Sequence, residues 1–445
     1  MPANWLGTKG VAMTIDAPLN ATHDPAARSW LASANLPETD FPIQNLPFGL
    51  FEHGGRVRGG VALGDCVIDL AALADSGLLR GDGALTAAKA ASGETLAPLL
   101  ACAPADVSVL RAELSQLFRE GGGADRSVLQ PMLVPLADVT LRLPVRPPAF
   151  TDFCTSYDHI ARMGRKTPGL AALSLPVAYN GRASSVAVSG TPVHRPLGQF
   201  ETAPGSGEVR FGAEPMLDFE LEFGAWLRGG NAPGQPLTMA EAEQALFGCC
   251  LVNDWSARAI QFFESILGPY LGKSFLTTVS PWIVTMEALA PFRVAARGRD
   301  EGEPALARHL RDPADIAGGG LAIELTAELA APGLAPQRIV RTNTRDLYWT
   351  LAQMVAHQTS NGTPIDTGDL IATGTVSGPE DESRACLAEI TLGSGVPITL
   401  SDGSTRTMLE DGDILTIRGR ATRDGFVPIG FGECAGAIHP ARSVA

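Results

Sequence analysis

This sequence contains no Cys-x-x-Cys pair, no long run of Lys or Arg, and no apolar stretch long enough to cross a bilayer. Without paired cysteines at ligand spacing, a zinc ribbon or a thioredoxin-like redox motif is excluded. The seven cysteines (Cys66, Cys102, Cys154, Cys249, Cys250, Cys386, Cys434) are odd in number and scattered, which predicts reduced thiols in a cytoplasmic protein. The adjacent pair Cys249-Cys250 sits in an apolar run and reads as core filling. The formal net charge of −14 makes nucleic acid or an anionic membrane surface a poor partner. An anionic small molecule would need local cations to offset that field. No secretory apolar segment stands near the N-terminus. The glycine triplets at 121–123 and 318–320 lack a following Lys-Ser/Thr and are not phosphate loops.

What is present is a globular composition, 45% hydrophobic over 445 residues, enough for roughly three domains. Residues 1–40 read as a mostly irregular extension with a short helix near Ala26–Ala34, and residues 1–12 look loosely attached, with Met13 as a second candidate start. Residues 41–145 read as a small β-barrel domain with helices. Strands are expected at Arg58–Leu63 and Cys66–Leu70 about a Gly64-Asp65 turn, and helices over 83–121. Val134–Pro148 ends in a proline cluster and marks a domain edge. Residues 146–445 read as a large β-rich domain with few helices. One helix is expected from the capping box Thr238-x-x-Glu241 to Gly248, and another from Thr344 to Ser360 with Leu347, Leu351, Met354 and Val355 on one face. Hairpin turns are expected at Asp402-Gly403 and Asp411-Gly412. The fold class is therefore mainly β, α+β.

The chemistry is concentrated first in Leu217–Phe223 (LDFELEF). Strand alternation puts Phe219, Leu221 and Phe223 on one face and Asp218, Glu220 and Glu222 on the other, with same-face neighbours about 7 Å apart. Such a face is either solvated or, if buried, needs a cation to offset carboxylate repulsion. Oxygen-only ligands select a hard ion such as Mg²⁺ or Ca²⁺, with Mn²⁺ also accepted. Four further segments carry unusual residues: Thr151-Asp152-Phe153 with His159, Asn253–Arg258 with Gln261, Leu271–Phe275 with Thr277, and Gly374–Gly378 with Glu389. Each is weak alone. Asp254 would also serve as a helix cap, Lys273 as an exposed loop charge and Thr375 as a turn residue. Together they have the make-up of a metal-assisted hydrolytic site.

The runs Phe41–Gly49 (FPIQNLPFG), Leu175–Ser185 (LPVAYNGRASS), Asn253–Arg258 (NDWSAR) and Leu271–Phe275 (LGKSF) resemble the fumarylacetoacetase family of the full-length, two-domain type, over about residues 40–440. The resemblance implies an SH3-like N-terminal barrel, a C-terminal β-roll carrying the site, and a homodimer. It implies metal-dependent hydrolysis of 4-fumarylacetoacetate to fumarate and acetoacetate, late in tyrosine, phenylalanine and homogentisate breakdown. It matches Asp152, Glu220, Glu222 and Asp254 to metal ligands, with Lys273 and Thr277 beside the metal. His159 matches the general base and Glu389 the acid that orients it. Arg258 and Gln261 match groups that stabilise oxyanion charge, while Tyr179 and Thr375 match substrate contacts. The reaction suits these groups: a neutral imidazole takes a proton from water, a cation stabilises the leaving carbanion, and Arg, Gln and Lys face the tetrahedral oxygen.

Three departures stand out. Cys154 replaces a tyrosine expected two residues after Asp152, and Ser265 falls where a second substrate-binding tyrosine is expected. The segment between Met163 and Leu175 is several residues short, leaving Arg165 or nothing in place of an expected arginine. Two lost phenol donors weaken the hold on the distal part of a substrate by about 0.5–1.5 kcal/mol each. Two alternatives follow: a paralogue acting on a related acylpyruvate or diketo acid, and a scaffold that has lost catalysis.

Overall fold

The computed structural model of the 445-residue chain describes residues 19–443 apart from 124, 165 and 204. The readings made for residues 1–12, Met13 and Arg165 fall outside the described residues. The architecture is mixed α/β, with many strands in several sheets and mostly short helices.

The largest sheet has 13 strands and runs through both halves of the chain. Its middle is formed by Leu221–Leu227, flanked by Leu246–Asp254 and Leu370–Thr375, with Phe150–Cys154 parallel to the last of these. Every residue of Leu221–Leu227 and of Leu246–Asp254 is buried, because both faces of the sheet are covered. Leu221, Phe223, Ala225 and Leu227 point into the large C-terminal core. Trp226, Cys250 and Val252 point into a second core shared with the N-terminal helices. Cys249 and Cys250 thus fill opposite cores, as their apolar setting predicts.

The N-terminal strands pair in the order Thr140–Arg142, Phe48–His53, Arg56–Leu63, Cys66–Asp69, Leu133–Pro135. No closed barrel forms among the described residues. Phe48 and Gly49 also pair with Ile283 and Trp282, which joins this group to the central sheet. Strands on either side of residue 145 thus share one sheet. Two short strands, Leu133–Pro135 and Thr140–Arg142, precede the proline cluster. A second, five-stranded sheet contains Ile323–Ala330, Gln337–Asn343, Ile414–Ala421, Ile429–His439 and Val193–His194, and it closes over the large core.

Several local expectations need correction. Ala26–Ala34 is not an α-helix; a 3-10 turn at Ala21–His23 precedes it and another, Ala32–Asn35, overlaps its end. Between them the Asn35 carboxamide takes the N–H and C=O of Ser29, so helical bonding is replaced. The helix at the Thr238–Glu241 capping box is Met239–Ala245 and stops short of Gly248, because Leu246 already enters the central sheet. The predicted 344–360 helix is split into a 3-10 turn, Thr344–Asp346, and a helix, Leu351–Thr359, with its own Thr350–Gln353 capping box. Asp402-Gly403 does join a hairpin, Ile398–Thr399 with Thr405–Arg406. Asp411-Gly412 instead leads into Ile414–Ala421, which pairs with Ile323–Ala330 and Ile429–His439 and not with the segment just before the turn.

Candidate functional site

Asp152 and Asp254 lie on strands that reach the same end of the central sheet, with Glu222 on one of the two strands between them, the one next to Asp254. The 217–223 stretch is not one strand. Leu217–Asp218 pairs with Ser256–Ala257, and Leu221–Leu227 begins anew after a break at 219–220. At the break the Asn253 carboxamide oxygen accepts the Glu220 N–H at 3.3 Å, and Ala385 C=O accepts the Leu221 N–H at 3.0 Å. The kink sends Glu220 toward Asp152, Glu222 and Asp254. One carboxylate oxygen from each of these four residues lies within 4.8 Å of the others, and all four are buried. The solvated-face alternative is thereby excluded. Asp218 parts from the group: it accepts the N–H groups of Leu387 (2.7 Å) and Ala388 (3.0 Å) and Arg258 Nε (2.9 Å).

Cations and hydroxyls hold part of this acid cluster. Lys273 Nζ bonds to Glu220 and, at 2.9 Å, to Asp254 Oδ2. The Tyr179 hydroxyl donates to Asp254 Oδ2 at 2.7 Å and Thr277 Oγ1 to Asp254 Oδ1 at 3.0 Å. Arg258 reaches Glu220 Oε1 at 2.7 Å and Gln261 Oε1 at 3.2 Å. Burial opposes charge on Glu220, but Lys273 and Arg258 outweigh it and hold its carboxyl below the usual range. The reverse applies to Glu222 and Asp152. Burial, then neighbouring carboxylates, push both well up. Both oxygens of Glu222 and Oδ1 of Asp152 are buried with no hydrogen-bond partner. Unpaired buried carboxylates cost several kcal/mol, and a hard divalent cation among these oxygens removes that cost. The donor set therefore fits such an ion.

Next to this cluster, His159 Nδ1 lies 2.6 Å from Glu389 Oε1. Burial opposes charge on Glu389, but His159 and the Ser377 hydroxyl outweigh it and keep its carboxyl below the usual range. The carboxylate accepts Nδ1–H, and on a neutral imidazole Nε2 is then the nitrogen able to take a proton. Arg162 holds Glu389 Oε2 at 3.2 Å.

Thr375 is placed by Gly374, whose φ of +73° and contact with Phe153 O exclude a side chain. Thr375 stands opposite Glu222, and its buried hydroxyl has no protein partner. Cys154 is half-buried, its thiol surrounded by Glu220, Asp152, Lys273 and Glu389; burial and these acids push it well up, so it is a neutral thiol. Gln261 meets the site through Arg258, and Ser265 is exposed just after the helix Arg258–Glu264, bonded to Phe262 C=O. Sequence reasoning assigned no role to Asn253, Ser156, Ser377 or Arg162. Asn253 and Ser377 stood inside singled-out motifs, but their partners lie far along the chain.

The family model described as fumarylacetoacetate (FAA) hydrolase C-terminal matches residues 149–438, and that described as fumarylacetoacetase N-terminal matches residues 44–144. The chain belongs to the fumarylacetoacetate hydrolase family. Among curated members, the fumarylacetoacetase of Oryza sativa subsp. japonica is 41% identical over 425 residues, spanning 91% of this chain and 96% of that relative. That of Bos taurus is 38% identical over 422 residues, spanning 92% and 98%. A solved family structure, fumarylacetoacetate hydrolase from Exiguobacterium antarcticum, aligns at a TM-score of 0.48 with 18% identity, covering 89% of this chain and 100% of that one. Within the family this chain keeps both parts of the two-part organisation.

Proposed function

We propose that this chain is a hydrolase acting on a carbon–carbon bond of a β-diketone: 4-fumarylacetoacetate and water give fumarate and acetoacetate, late in tyrosine and phenylalanine (homogentisate) catabolism. The observation that carries this reading is the unpartnered Glu222 carboxylate, closed in with Asp152, Glu220 and Asp254 beside the His159–Glu389 pair. Near-full-length identity to fumarylacetoacetases supports it.

Asp152, Glu220, Glu222 and Asp254 would hold the ion, Mg²⁺ or Ca²⁺, with Mn²⁺ also suited to an all-oxygen set. When bound, that ion supplies positive charge to the diketone oxygens. His159 Nε2 takes a proton from water as the water oxygen adds to the carbonyl carbon of the fumaryl group, the one that becomes a fumarate carboxylate. The carbon–carbon bond then breaks, its electron pair goes to the acetoacetate carbon, and His159 returns the proton there. Glu389 stabilises the imidazolium in between. Lys273 and Thr277 fix Asp254, and Lys273 also fixes Glu220. Arg258, committed to Asp218 and Glu220, orients Gln261, whose amide is left to meet the developing oxyanion. Tyr179 and Thr375 line the reacting end of the substrate.

The same reading carries a homodimer in the cytoplasm, domains at 41–145 and 146–445, and an anionic diketo acid as the partner. No nucleic acid or membrane enters; among the described residues no helix is long and apolar enough to cross a membrane.

A second reading, a paralogue for a related acylpyruvate or diketo acid, is favoured by one observation. Cys154 faces the acid cluster in place of a phenol, and Ser265 is turned to solvent. Loss of diketone absorbance on fumarylacetoacetate, with and without Mg²⁺ and beside an acylpyruvate control, tests both readings. Fast, metal-dependent loss on fumarylacetoacetate supports the first. Activity on the control alone replaces it with the second, and no activity on either overturns both.

A further inference from the structure

Ser377 lies at a junction of four segments and is fully buried. Its hydroxyl donates to Glu389 Oε1 at 2.6 Å and accepts the Ala385 N–H at 3.2 Å. Its carbonyl accepts the Ser156 hydroxyl at 2.6 Å, and Ser156 Oγ in turn accepts the His159 N–H at 3.0 Å. One residue is therefore tied to both members of the His159–Glu389 pair, to the carboxylate directly and to the imidazole's helix through Ser156.

The chemistry of the groups fixes the direction of these bonds. A serine hydroxyl has one proton. An amide N–H already points at Ser377 Oγ, so the proton is free to go to Glu389, which as a carboxylate only accepts. Glu389 itself stands on a helix of four residues, Leu387–Ile390, too short to hold a side chain rigidly. Its orientation comes from what grips its oxygens. Ser377 and His159 share Oε1, and Arg162 takes Oε2. The Cys386 thiol, 3.7 Å from Oε1, is a much weaker donor. The charged and titratable groups facing Glu389 are His159, Arg162, Asp158, Cys386 and Cys154.

We propose that Ser377 is a positioning residue for catalysis: by clamping Glu389 Oε1 toward His159 Nδ1 it keeps the imidazole in the tautomer whose Nε2 is bare. This rests on the hydrolytic reading above. The role differs from that of Arg162, which holds the other oxygen from the partly exposed side.

The test is Ser377→Ala in the full chain, followed by steady-state kinetics and by ¹⁵N NMR of labelled histidine. In the wild type, the neutral His159 imidazole shows a single Nδ1–H tautomer. In the variant the two tautomers mix, kcat falls about tenfold and KM stays unchanged, because one charge-assisted hydrogen bond is lost. Ser377→Cys, nearly isosteric with a weak donor, changes in the same direction by less, and it serves if the alanine chain does not fold. An unchanged His159 tautomer and unchanged kcat in a folded variant overturn the proposal. So does a loss that appears only as a lower Tm. A wild type inactive on every diketo acid would overturn the hydrolytic reading, while the tautomer spectra would still decide the role of Ser377.

Discussion

Arg258 Nε meets Asp218 Oδ2 at 2.9 Å while Arg258 Nη1 meets Glu220 Oε1 at 2.7 Å, and all three side chains are buried. Two carboxylates that share a strand face on paper are thus held apart by one guanidinium. Asp218 anchors the chain at Leu387 and Ala388, and Glu220 is left for the acid cluster. Asp218→Asn leaves that buried cation half paired. It is expected to lower stability by about 3–5 kcal/mol. Urea denaturation checks this; a loss below 1 kcal/mol would mean the pair is not the anchor described.

His159→Ala removes the proposed base but none of the four clustered carboxylates. Turnover should fall by about 10²–10⁴-fold with Mg²⁺ affinity nearly intact, as measured by calorimetry. Loss of metal binding together with activity would contradict the role given to His159.

For Glu222→Gln the order reverses: metal affinity falls first, and activity follows it. Because both Glu222 oxygens are buried and unpartnered, the metal-free variant should be no less stable than the wild type. The rise in Tm on adding Mg²⁺ should shrink. An unchanged metal titration removes Glu222 from the ligand set.

Cys154→Tyr restores a phenol beside the cluster. On the fumarylacetoacetate reading kcat/KM should rise about 2–10-fold, the worth of one hydrogen bond. A fall on fumarylacetoacetate, with the acylpyruvate rate also reduced, would show that Cys154 belongs to a pocket shaped for another substrate.

Asp315 gives a pH dependence of stability separate from catalysis. Burial pushes its carboxyl up from 3.8 to about 6, only partly offset by the Thr350 hydroxyl. Because the folded-state value is the higher one, the folded chain binds this proton more tightly. The stabilisation is complete below about 3.8 and is lost as pH rises through about 6. The difference is worth about 3 kcal/mol. Asp315→Asn should therefore gain on the wild type at pH 8 and lose that advantage at pH 4, read by denaturant midpoints. A pH-independent difference would mean Asp315 does not titrate there.

The site's residue types were legible from the sequence because each lies in a short local pattern. Glu220 and Glu222 flank Leu221, Asp254 precedes Trp255, and Lys273 follows Gly272. Such motifs carry chemistry within a few residues of chain, and their resemblance to one family supplied the order of roles. Tertiary structure decided what alternation cannot encode. The break that parts Asp218 from Glu220 depends on Asn253 and Ala385, 33 residues from Glu220 and 164 from Leu221. The joining of the N-terminal strands to the central sheet depends on Phe48 pairing with Ile283. The clamp on Glu389 depends on Ser377, and its link to His159 on Ser156, which lies 221 residues away. A strand pattern states which side chains share a face only while the strand continues. Where it ends, and which distant polar group meets the freed N–H, is set by contacts that long-range packing alone creates.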